Sequence, residues 1–466
     1  MENMENMDFE TMRDKQAGEL MQLLDERRMK ELQLRLEDMN EFDVAEFLTE
    51  IGDNRMPMVF RLLSKETAAV VFANFDTPEQ EQIINSITDS ELSAIIEELY
   101  VDDAVDMMEE LPANVVKRVM RTATPETRRL INQYLNYPEN SAGSIMTAEF
   151  VDLKKYMNVR ESIARIRRIG EDKETIYTCF VTSADRKLEG VLSVKDLLLS
   201  DDETVIEDIM DTNIVFCMTH DDQEEAAEKI SDYDLMALPV TDKEGRLVGI
   251  VTVDDVIDVM EAEATEDFEL MAAMTPSDKP YSRTSAMDMW KRRVPWLMFL
   301  MLSATFTSMI INSFEDALAV QAVLIGFIPM LMGTGGNSGA QASTAVIRSI
   351  SLGDTEPKDV GPVVWKEFRV AILCGLTLAA VNFAKMLLVD KLLLGNDAVT
   401  LTVAGVVSLS IVFIVMFAKV VGSVLPIAAE KLGADPAVMA NPLISTITDA
   451  VSLLIYFEIA KLMISF

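Results

Sequence analysis

The stretch PAVMANPLISTITDAVSLLIYFE, residues 436–458, carries one charged side chain, Asp449, before its final glutamate. As a helix it is long enough to cross the roughly 30 Å of hydrocarbon in a bilayer. Four more stretches are long and nearly free of charge, at residues 294–311, 317–347, 370–389 and 398–429. The sequence therefore predicts a transmembrane domain with five α-helical spans over residues 291–466.

Basic residues predict how these spans are oriented. Lys291, Arg292 and Arg293 directly precede the first span, and the loop between the first and second spans has no basic residue. The loop between the second and third spans holds four: Arg348, Lys358, Lys366 and Arg369. Lys and Arg are enriched in cytoplasmic loops. We therefore expect a multi-pass protein of the cell membrane, with its N-terminus in the cytoplasm and its C-terminus outside.

The excess of acidic over basic residues lies entirely before the first span. Residues 1–290 hold 29 basic and 65 acidic residues, whereas residues 291–466 hold 12 of each. A surface this negative repels nucleic acid and attracts cations, although it is also compatible with nothing more than solubility. Residues 1–10 lack the apolar region of a signal peptide, and the three cysteines are too far apart for a zinc motif. We expect no nucleic-acid partner.

The residues before the first span divide into two parts with different patterns of apolar residues. Residues 1–137 show apolar residues at helical spacing, which predicts an acidic, all-α N-terminal domain. Residues 138–264 contain a duplication, because TIYTCFVTSADRKLEGVLSVKDLLL (175–199) and DLMALPVTDKEGRLVGIVTVDDVIDVM (234–260) both read strand, turn, strand, helix. The two α/β copies would cover about 138–200 and 201–264. Residues 265–290 would continue the last helix and connect it to the first span.

The second span contains the run IPMLMGTGGNSGAQAS, residues 328–343. Gly335, Gly336 and Gly339 permit close approach of another helix, and Asn337 and Gln341 add polar groups at the same depth. A helix-packing motif alone does not require the amide side chains. We therefore interpret this run as one wall of a polar passage, with packing as the alternative.

The last span carries a polar stripe that ends in a carboxylate. Pro442, Ser445 and Asp449 share one helical face, which Asn441 borders. A carboxylate at this depth costs about 2.5–3.5 kcal/mol or more unless it faces a cavity. Oxygen ligands favour hard cations, and a single carboxylate suits Mg²⁺, which keeps its waters. The alternative is a structural aspartate bonded to a nearby Ser, Thr or Lys.

Lys419 is a second charge inside a predicted span, the fourth. Long basic side chains near the ends of spans reach toward the interface or pair with an acid. A lysine beside a cation pathway would repel the cation. We therefore expect Lys419 to point away from the passage, either extended toward the interface or paired with Glu430 or Asp449.

The runs PMLMGTGGNSGAQAS (329–343) and ADPAVMANPLISTITD (434–449) together closely resemble the MgtE family of magnesium channels, and the resemblance extends over the whole chain. It implies a Mg²⁺-selective homodimer with a pore between the subunits, lined by the second and fifth spans. The residues that match the family's pore motifs are Asp449, Asn441, Pro442, Ser445, Asn337, Gly335 and Gly336. The duplication resembles a tandem pair of CBS domains, for which an adenine nucleotide is one candidate ligand; a second copy that only packs against the first is the alternative.

The resemblance also implies regulatory Mg²⁺ sites between the N-terminal domain, the CBS pair and the connecting helix. The acids that match are Asp102, Asp106, Asp234, Asp255, Asp258, Glu263, Glu266 and Asp267. Like charges one helical turn apart repel each other. Two such acidic faces close poorly unless divalent cations lie between them, which predicts a channel that cytosolic Mg²⁺ closes. Taken singly, each of these acids also fits a solvated surface residue.

Two other functions fit the same sequence. One is a secondary transporter that couples divalent-cation movement to Na⁺ or H⁺, although a single buried carboxylate argues against a second coupling site. The other is a signalling scaffold whose spans only anchor the CBS pair. No P-loop motif occurs and the chain has one histidine, so we do not expect an enzyme. The oxygen ligands predicted for Mg²⁺ also accept other divalent cations.

Overall fold

The computed structural model describes residues 9–277, 281, 284–314, 322–439 and 441–464. The chain divides into two compact units, Met1–Met260 and Glu261–Phe466. The first unit contains the N-terminal helical domain and the two α/β copies. The helical domain shares a core with the second copy, and the first copy has a core of its own. The second contains the end of the connecting helix and the apolar helices.

The N-terminal domain consists of short helices, as predicted. Among the described residues they are α1 Phe9–Asp25, α2 Met29–Glu37, α3 Glu41–Glu50, α4 Met56–Phe60, α5 Lys65–Ala73, α6 Thr77–Ser86, α7 Asp89–Glu98, α8 Val101–Glu110, α9 Ala113–Thr122 and α10 Pro125–Tyr134. Local sequence sets where they begin: Thr88 and Glu91 form a capping box at α7, and Thr124 accepts a hydrogen bond from the backbone N–H of Thr127 at α10. Their inner faces bury Leu48, Ile83 and other aliphatic side chains.

The duplication is confirmed as two α/β copies of the same topology. The first contains β1 Val151–Leu153, α11 Val159–Ile169, β2 Thr178–Thr182, β3 Leu188–Ser193 and α12 Val194–Leu199. The second contains β4 Cys217–Met218, α13 Gln223–Asp232, β5 Ala237–Thr241, β6 Leu247–Thr252 and α14 Val253–Met271. Each copy forms a mixed three-stranded sheet in which the first pair of strands is parallel and the second antiparallel. The register shifts between Val181 and Thr182, and at the equivalent position between Val240 and Thr241.

The second unit is helical. Its main helices, within the ranges that the structure describes, are α15 Ala286–Ser313, α16 Ile328–Ser351, α17 Val360–Lys385, α18 Leu401–Lys431 and α19 Asn441–Met463. Short 3₁₀ segments precede three of them (Ala322–Phe327, Pro357–Asp359 and Pro436–Met439), and π-helical turns extend α17 over Met386–Leu393.

Four helical segments of the described chain are long and apolar enough to cross a membrane: Ala286–Ser313, Val360–Leu393, Leu401–Lys431 and Pro436–Met463. The helix α16, with 24 residues, is long enough at about 36 Å, but its Gly, Ser and Asn content lowers its mean hydropathy. The count of five spans therefore stays a prediction. Residues 317–321 of the predicted second span lie outside the described residues.

The glycine-rich run remains helical because other helices pack directly against it. The backbone of Gly422 in α18 contacts the backbone of Gly339, so a Cβ on Gly422 has no room. A Cβ on Gly339 would also lie 3.2 Å from the carbonyl oxygen of Ala418. Close backbone approach of this kind offsets the low helix propensity of glycine. The helix α18, which is buried along most of its length, forms the centre of the unit.

Candidate functional site

The helices α16 and α19 pack against each other through the glycine-rich run. Gly335 and Gly336 are buried, and a Cβ on Gly335 would lie 2.7 Å from Oγ of Ser452. A Cβ on Gly336 would lie 3.3 Å from Oγ of Ser445. Within one chain both glycines thus serve helix contact, and Gly336 brings Ser445, one residue of the polar stripe of α19, against α16.

The opposite face of α16 carries amide side chains. Asn337 and Gln341, one turn apart, are exposed in the single chain, and Thr344 continues the same face. Exposed amides on a helix at membrane depth are costly in hydrocarbon, where no water satisfies them. As part of the predicted second span, this face would require water or another protein surface.

Asp449 lies about 12 Å along α19 from its first residue. The side chain is half-buried and makes no hydrogen bond or ion pair with any residue that the structure describes. The neighbouring hydroxyls bond elsewhere, because Thr448 donates to the carbonyl oxygen of Ser445 and Thr446 donates to that of Pro442. The alternative of an aspartate bonded to nearby Ser, Thr or Lys is thus not what the structure has. The side chain of Asn441 lies outside the described residues.

Lys419 has a partner that the sequence analysis missed. Its Nζ lies 3.5 Å from Oε2 of Glu367 in α17, and the two side chains are 6% and 15% exposed. The expected partners Glu430 and Asp449 were therefore the wrong ones. The two residues are 52 positions apart, so only the packing of α17 against α18 brings them together. The carboxylate of Glu367 thus offsets the positive charge of Lys419.

Removing only the lysine of this pair should be costly. We expect Lys419→Met to lower the free energy of unfolding by roughly 3–5 kcal/mol, because Glu367 would remain charged and unpaired in an apolar surrounding. The matched control is Glu367→Met with Lys419→Met, which should regain most of the loss. Thermal unfolding of the purified protein in detergent measures both. Equal stability of the single and the double variant would contradict the ion pair.

The end of the connecting helix α14 lies against the membrane helices. Oγ of Ser351, the last residue of α16, donates to Oδ2 of Asp267 at 3.1 Å. Leu270 and Met271 pack against two buried residues, Ile347 of α16 and Ala437 in the turn before α19. Burial, with the charge of Asp435 adding to it, raises the pKa of Asp267. One helix end thus contacts α16 and the 3₁₀ segment that leads into α19.

A second group of acids lies within the first unit, where α8 meets the CBS pair. We call it the acidic cluster, and its members act electrostatically on one another: Asp102, Asp103, Asp106, Glu149, Glu174, Asp254 and Asp255. The structure therefore brings together three of the predicted residues: Asp102, Asp106 and Asp255. Oε2 of Glu174 is buried and has no hydrogen-bond partner among the described residues. A buried carboxylate oxygen of this kind fits a cation or a proton.

Burial dominates the electrostatics of the acidic cluster. Asp102 is 9% exposed, and burial raises its pKa well above the ordinary range. Burial and then the charge of Asp255 raise the pKa of Asp103 to about 6. Burial and then the charge of Asp103 raise that of Asp106 to about 7. For Glu174, burial and the charge of Asp255 raise the pKa to about 8. The acidic cluster is thus hard to ionise fully without cations.

The remaining predicted acids lie at the edge of the acidic cluster or outside it. Asp258 is exposed on α14 one turn after Asp255, on whose carboxyl its charge acts, and Asp234 is exposed in the turn before β5, with φ +50°. Glu263 and Glu266 are half-buried on the part of α14 that belongs to the second unit. No three acidic, histidine or cysteine side chains among the described residues are arranged to hold a metal ion. Binding of a cation here therefore requires the side chains to converge further.

The raised pKa values predict how pH affects the contact between α8 and the CBS pair. While α8 is packed on the CBS pair, these carboxyls hold protons that they release when α8 separates. The free energy that keeps α8 in place is therefore greatest at low pH and is lost as the pH rises through about 6 to 8. Without Mg²⁺ we expect α8 to be protected from hydrogen exchange near pH 5 and much less so near pH 8.5. With Mg²⁺ the protection should persist at both. Protection that is independent of pH in the Mg²⁺-free sample would contradict the pKa values.

Comparisons with known proteins find relatives along the whole chain. Three family models match: MgtE, "Divalent cation transporter", over residues 328–459; "MgtE intracellular N domain" over residues 39–140; and "CBS domain" over residues 206–262. The chain is 38% identical to the magnesium transporter MgtE of Thermus thermophilus, over 97% of this chain and 99% of that protein. It is 30% identical to the magnesium transporter MgtE of Bacillus subtilis, over 94% of this chain and 95% of that protein.

Among the solved structures that match, two at 30% identity or more correspond to part of the chain. The soluble part of a magnesium transporter is 30% identical, with a TM-score of 0.52, and covers 54% of this chain and 99% of that one. The cytosolic domain of the Mg²⁺ channel MgtE in complex with ATP is 37% identical, with a TM-score of 0.50, and covers 52% and 99%. The relatives thus span the chain, and the solved structures correspond to about half of it.

Proposed function

Because this chain belongs to the MgtE family of magnesium transporters, we propose that it is a homodimeric channel that conducts Mg²⁺ between the polar faces of α16 and α19 from two copies. The observation that carries this proposal is Asp449, a half-buried carboxylate without a partner among the described residues. Such a group at membrane depth needs water or a cation. Asp449, Asn441, Pro442, Ser445 and Asn337 would line the pathway, with Gly335 and Gly336 holding the two helices together.

A second copy accounts for the exposed face of α16. Asn337, Gln341 and Thr344 are exposed in one chain. Two such faces placed around a common axis enclose water, and each chain contributes one Asp449. A site with two carboxylates and amide oxygens binds a cation that keeps part of its hydration shell, as Mg²⁺ does.

The driving force for this pathway is the membrane potential. Moving a divalent cation inward gains about 4.6 kcal/mol per 100 mV, twice the value for one charge. The N-terminus would lie in the cytoplasm and the C-terminus outside, as the basic loops predict. Conduction would then need neither a nucleotide as fuel nor a coupled ion. Glu367, a further carboxylate of the helical unit, is already paired with Lys419.

We further propose that cytosolic Mg²⁺ closes the channel. The acidic cluster would bind Mg²⁺ as α8 and the CBS pair close together, because the ion replaces protons and relieves repulsion. The acids along α14 (Asp258, Glu263, Glu266 and Asp267) would transmit or share this binding, with Asp234 as a further ligand. The end of α14 supports the mechanism, since it contacts both α16 and the turn before α19.

A nucleotide is the proposed second regulator. The similar cytosolic domain of an MgtE channel was solved in complex with ATP. We propose that the CBS pair of this chain binds an adenine nucleotide as well.

The test of the proposed function is electrical. The full-length protein, reconstituted into a planar bilayer with Mg²⁺ as the permeant cation, should show discrete openings that cytosolic-side Mg²⁺ suppresses. Steady uptake into vesicles that requires a Na⁺ or H⁺ gradient, without openings, would instead establish the coupled transporter. Absence of any Mg²⁺ movement would support the scaffold.

A further inference from the structure

The second unit contains an apolar groove of about 660 Å³ between α17, α18 and α19, apart from the residues of the proposed ion pathway. The side chains that define it include Phe368, Leu409, Phe413, Val420, Ile455 and Leu462. Its volume lies within the range of about 300–1,000 Å³ that sites for small molecules occupy. Because its lining is almost wholly apolar, a ligand there would be held by burial of hydrocarbon.

The groove faces mainly away from Asp449. Three of its five lining residues on α19, Ile455, Glu458 and Leu462, lie roughly 120–180° around the helix from Asp449. Leu409 and Phe413 of α18 are 41% and 48% exposed. A second copy that meets this chain at Asp449 therefore leaves most of the groove uncovered, on the side where lipid surrounds the protein.

The groove has the length of one acyl chain. Its wall on α18 is a stripe at helical spacing, from Leu409 through Phe413 and Met416 to Val420. This stripe rises about 16 Å, roughly half of the 30 Å of hydrocarbon in a bilayer. Each leaflet of lipid supplies about half of that thickness, so one extended chain from one leaflet matches the groove.

Neighbouring contacts show which residues lie at each end. A Cβ on Gly405 would lie 3.6 Å from Cε of Met463, so the start of α18 is level with the end of α19. Leu409 and Leu462 therefore lie at one end of the groove. The ion pair of Glu367 with Lys419 places their neighbours Phe368 and Val420 together at the other end.

The end near Leu462 carries two opposite charges. Glu458, the charged residue of the lining, has Oε1 3.9 Å from Nζ of Lys461, and both side chains are exposed. Nζ of Lys461 also lies 5.9 Å from the ring centroid of Phe314. A carboxylate beside an ammonium complements a headgroup that carries both an ammonium and a phosphate. An anionic headgroup without an amine would be repelled by Glu458.

We propose that the groove binds one acyl chain of an aminophospholipid, with the lipid's ammonium at Glu458 and its phosphate at Lys461. The proposal rests on the proposed function in one respect, the placing of the second copy at Asp449. A second copy is the competing occupant of the groove. It would bury the exposed pair of Glu458 and Lys461 against apolar side chains, and burying such a pair costs more than it returns unless further partners are supplied.

Native mass spectrometry of the full-length protein, with equal amounts of phosphatidylethanolamine and phosphatidylglycerol in the detergent, tests the proposal. The wild type should retain one phosphatidylethanolamine per chain in preference to phosphatidylglycerol. Leu409→Trp, which fills one end of the groove, should lower this retention by about tenfold or more, because excluding about two methylene groups is worth a factor of ten. The matched control is Leu373→Trp, at a residue of α17 that is 69% exposed and outside the groove. It should retain lipid like the wild type.

The headgroup is tested by Glu458→Lys. With two cations at this end the variant should prefer phosphatidylglycerol, whereas the groove itself is unchanged. Thermal unfolding like that of the wild type establishes that each variant is folded.

Three results would overturn the proposal. Equal retention of both lipids by the wild type and every variant would indicate only the ordinary lipid surrounding of a membrane protein. Dissociation of the dimer by Leu409→Trp, with lipid retention unchanged, would assign the groove to the second copy. A wild type that retains no lipid would leave the groove without this ligand. Failure of the proposed channel is detected separately, because a protein that conducts no Mg²⁺ in bilayers can still retain the lipid.

Discussion

Asp449→Asn should reduce the Mg²⁺ flux through the reconstituted protein by at least about tenfold. An asparagine has nearly the same shape, so the packing of α19 should persist while the charge is lost. One charge pair 4 Å apart is worth about 4 kcal/mol in a partly hydrated surrounding, and each 1.4 kcal/mol is about a factor of ten. Stopped-flow uptake into vesicles that contain a Mg²⁺-sensitive dye measures the effect, and Asp449→Glu should restore part of the flux.

The matched control is Asp390→Asn. Asp390 is another carboxylate of the second unit, but it is paired with Lys385 at 2.8 Å in the π-helical turns after α17. The same chemical change there should leave the flux as in the wild type. A wild-type rate in Asp449→Asn would remove the carboxylate from the pathway and favour the scaffold.

The second large effect is expected at the acidic cluster. The double variant Asp102→Asn with Asp106→Asn has less electrostatic repulsion within α8 and toward Asp255. Its α8 should therefore stay packed on the CBS pair without Mg²⁺. The steep rise in hydrogen-exchange protection of α8 that Mg²⁺ causes in the wild type should then be almost absent. Both positions have strongly raised pKa values because they are buried, which is why neutral side chains suit them.

Two exposed acids of the same domain provide the control. Asp38→Asn with Glu98→Gln removes the same number of charges away from the acidic cluster. This variant should respond to Mg²⁺ like the wild type. A Mg²⁺ response in the cluster variant as steep as that of the control would show that sensing resides elsewhere.

Local patterns predicted much of this architecture. Helical spacing and capping residues set the N-terminal helices, and the alternating apolar runs around SADRK and TDKEGR set both CBS sheets. The stripe of Pro442, Ser445 and Asp449 follows from helical periodicity alone. The continuous helix through the glycine-rich run does not, because its stability comes from contact with α18 and α19.

Contacts between residues far apart in the sequence could not be predicted from local sequence patterns. The sequence could have indicated Asp103, because it directly follows Asp102. Glu149 and Glu174 join the acidic cluster only through the fold of the first CBS copy. There the backbone N–H of Glu174 donates to the carbonyl oxygen of Glu149 at 2.9 Å. The partner of Lys419 was missed for the same reason: Glu367 lies on a helix whose packing the sequence does not state.

The most direct measurement for the central claim is an anomalous difference map of the full-length protein crystallised with a high concentration of Mn²⁺ as a substitute for Mg²⁺. The proposed channel predicts a peak on the dimer axis between the two copies of Asp449, at the distance of a hydrated cation. Asp449 directed into lipid or a sealed apolar contact, with no peak beside it, would contradict the proposal.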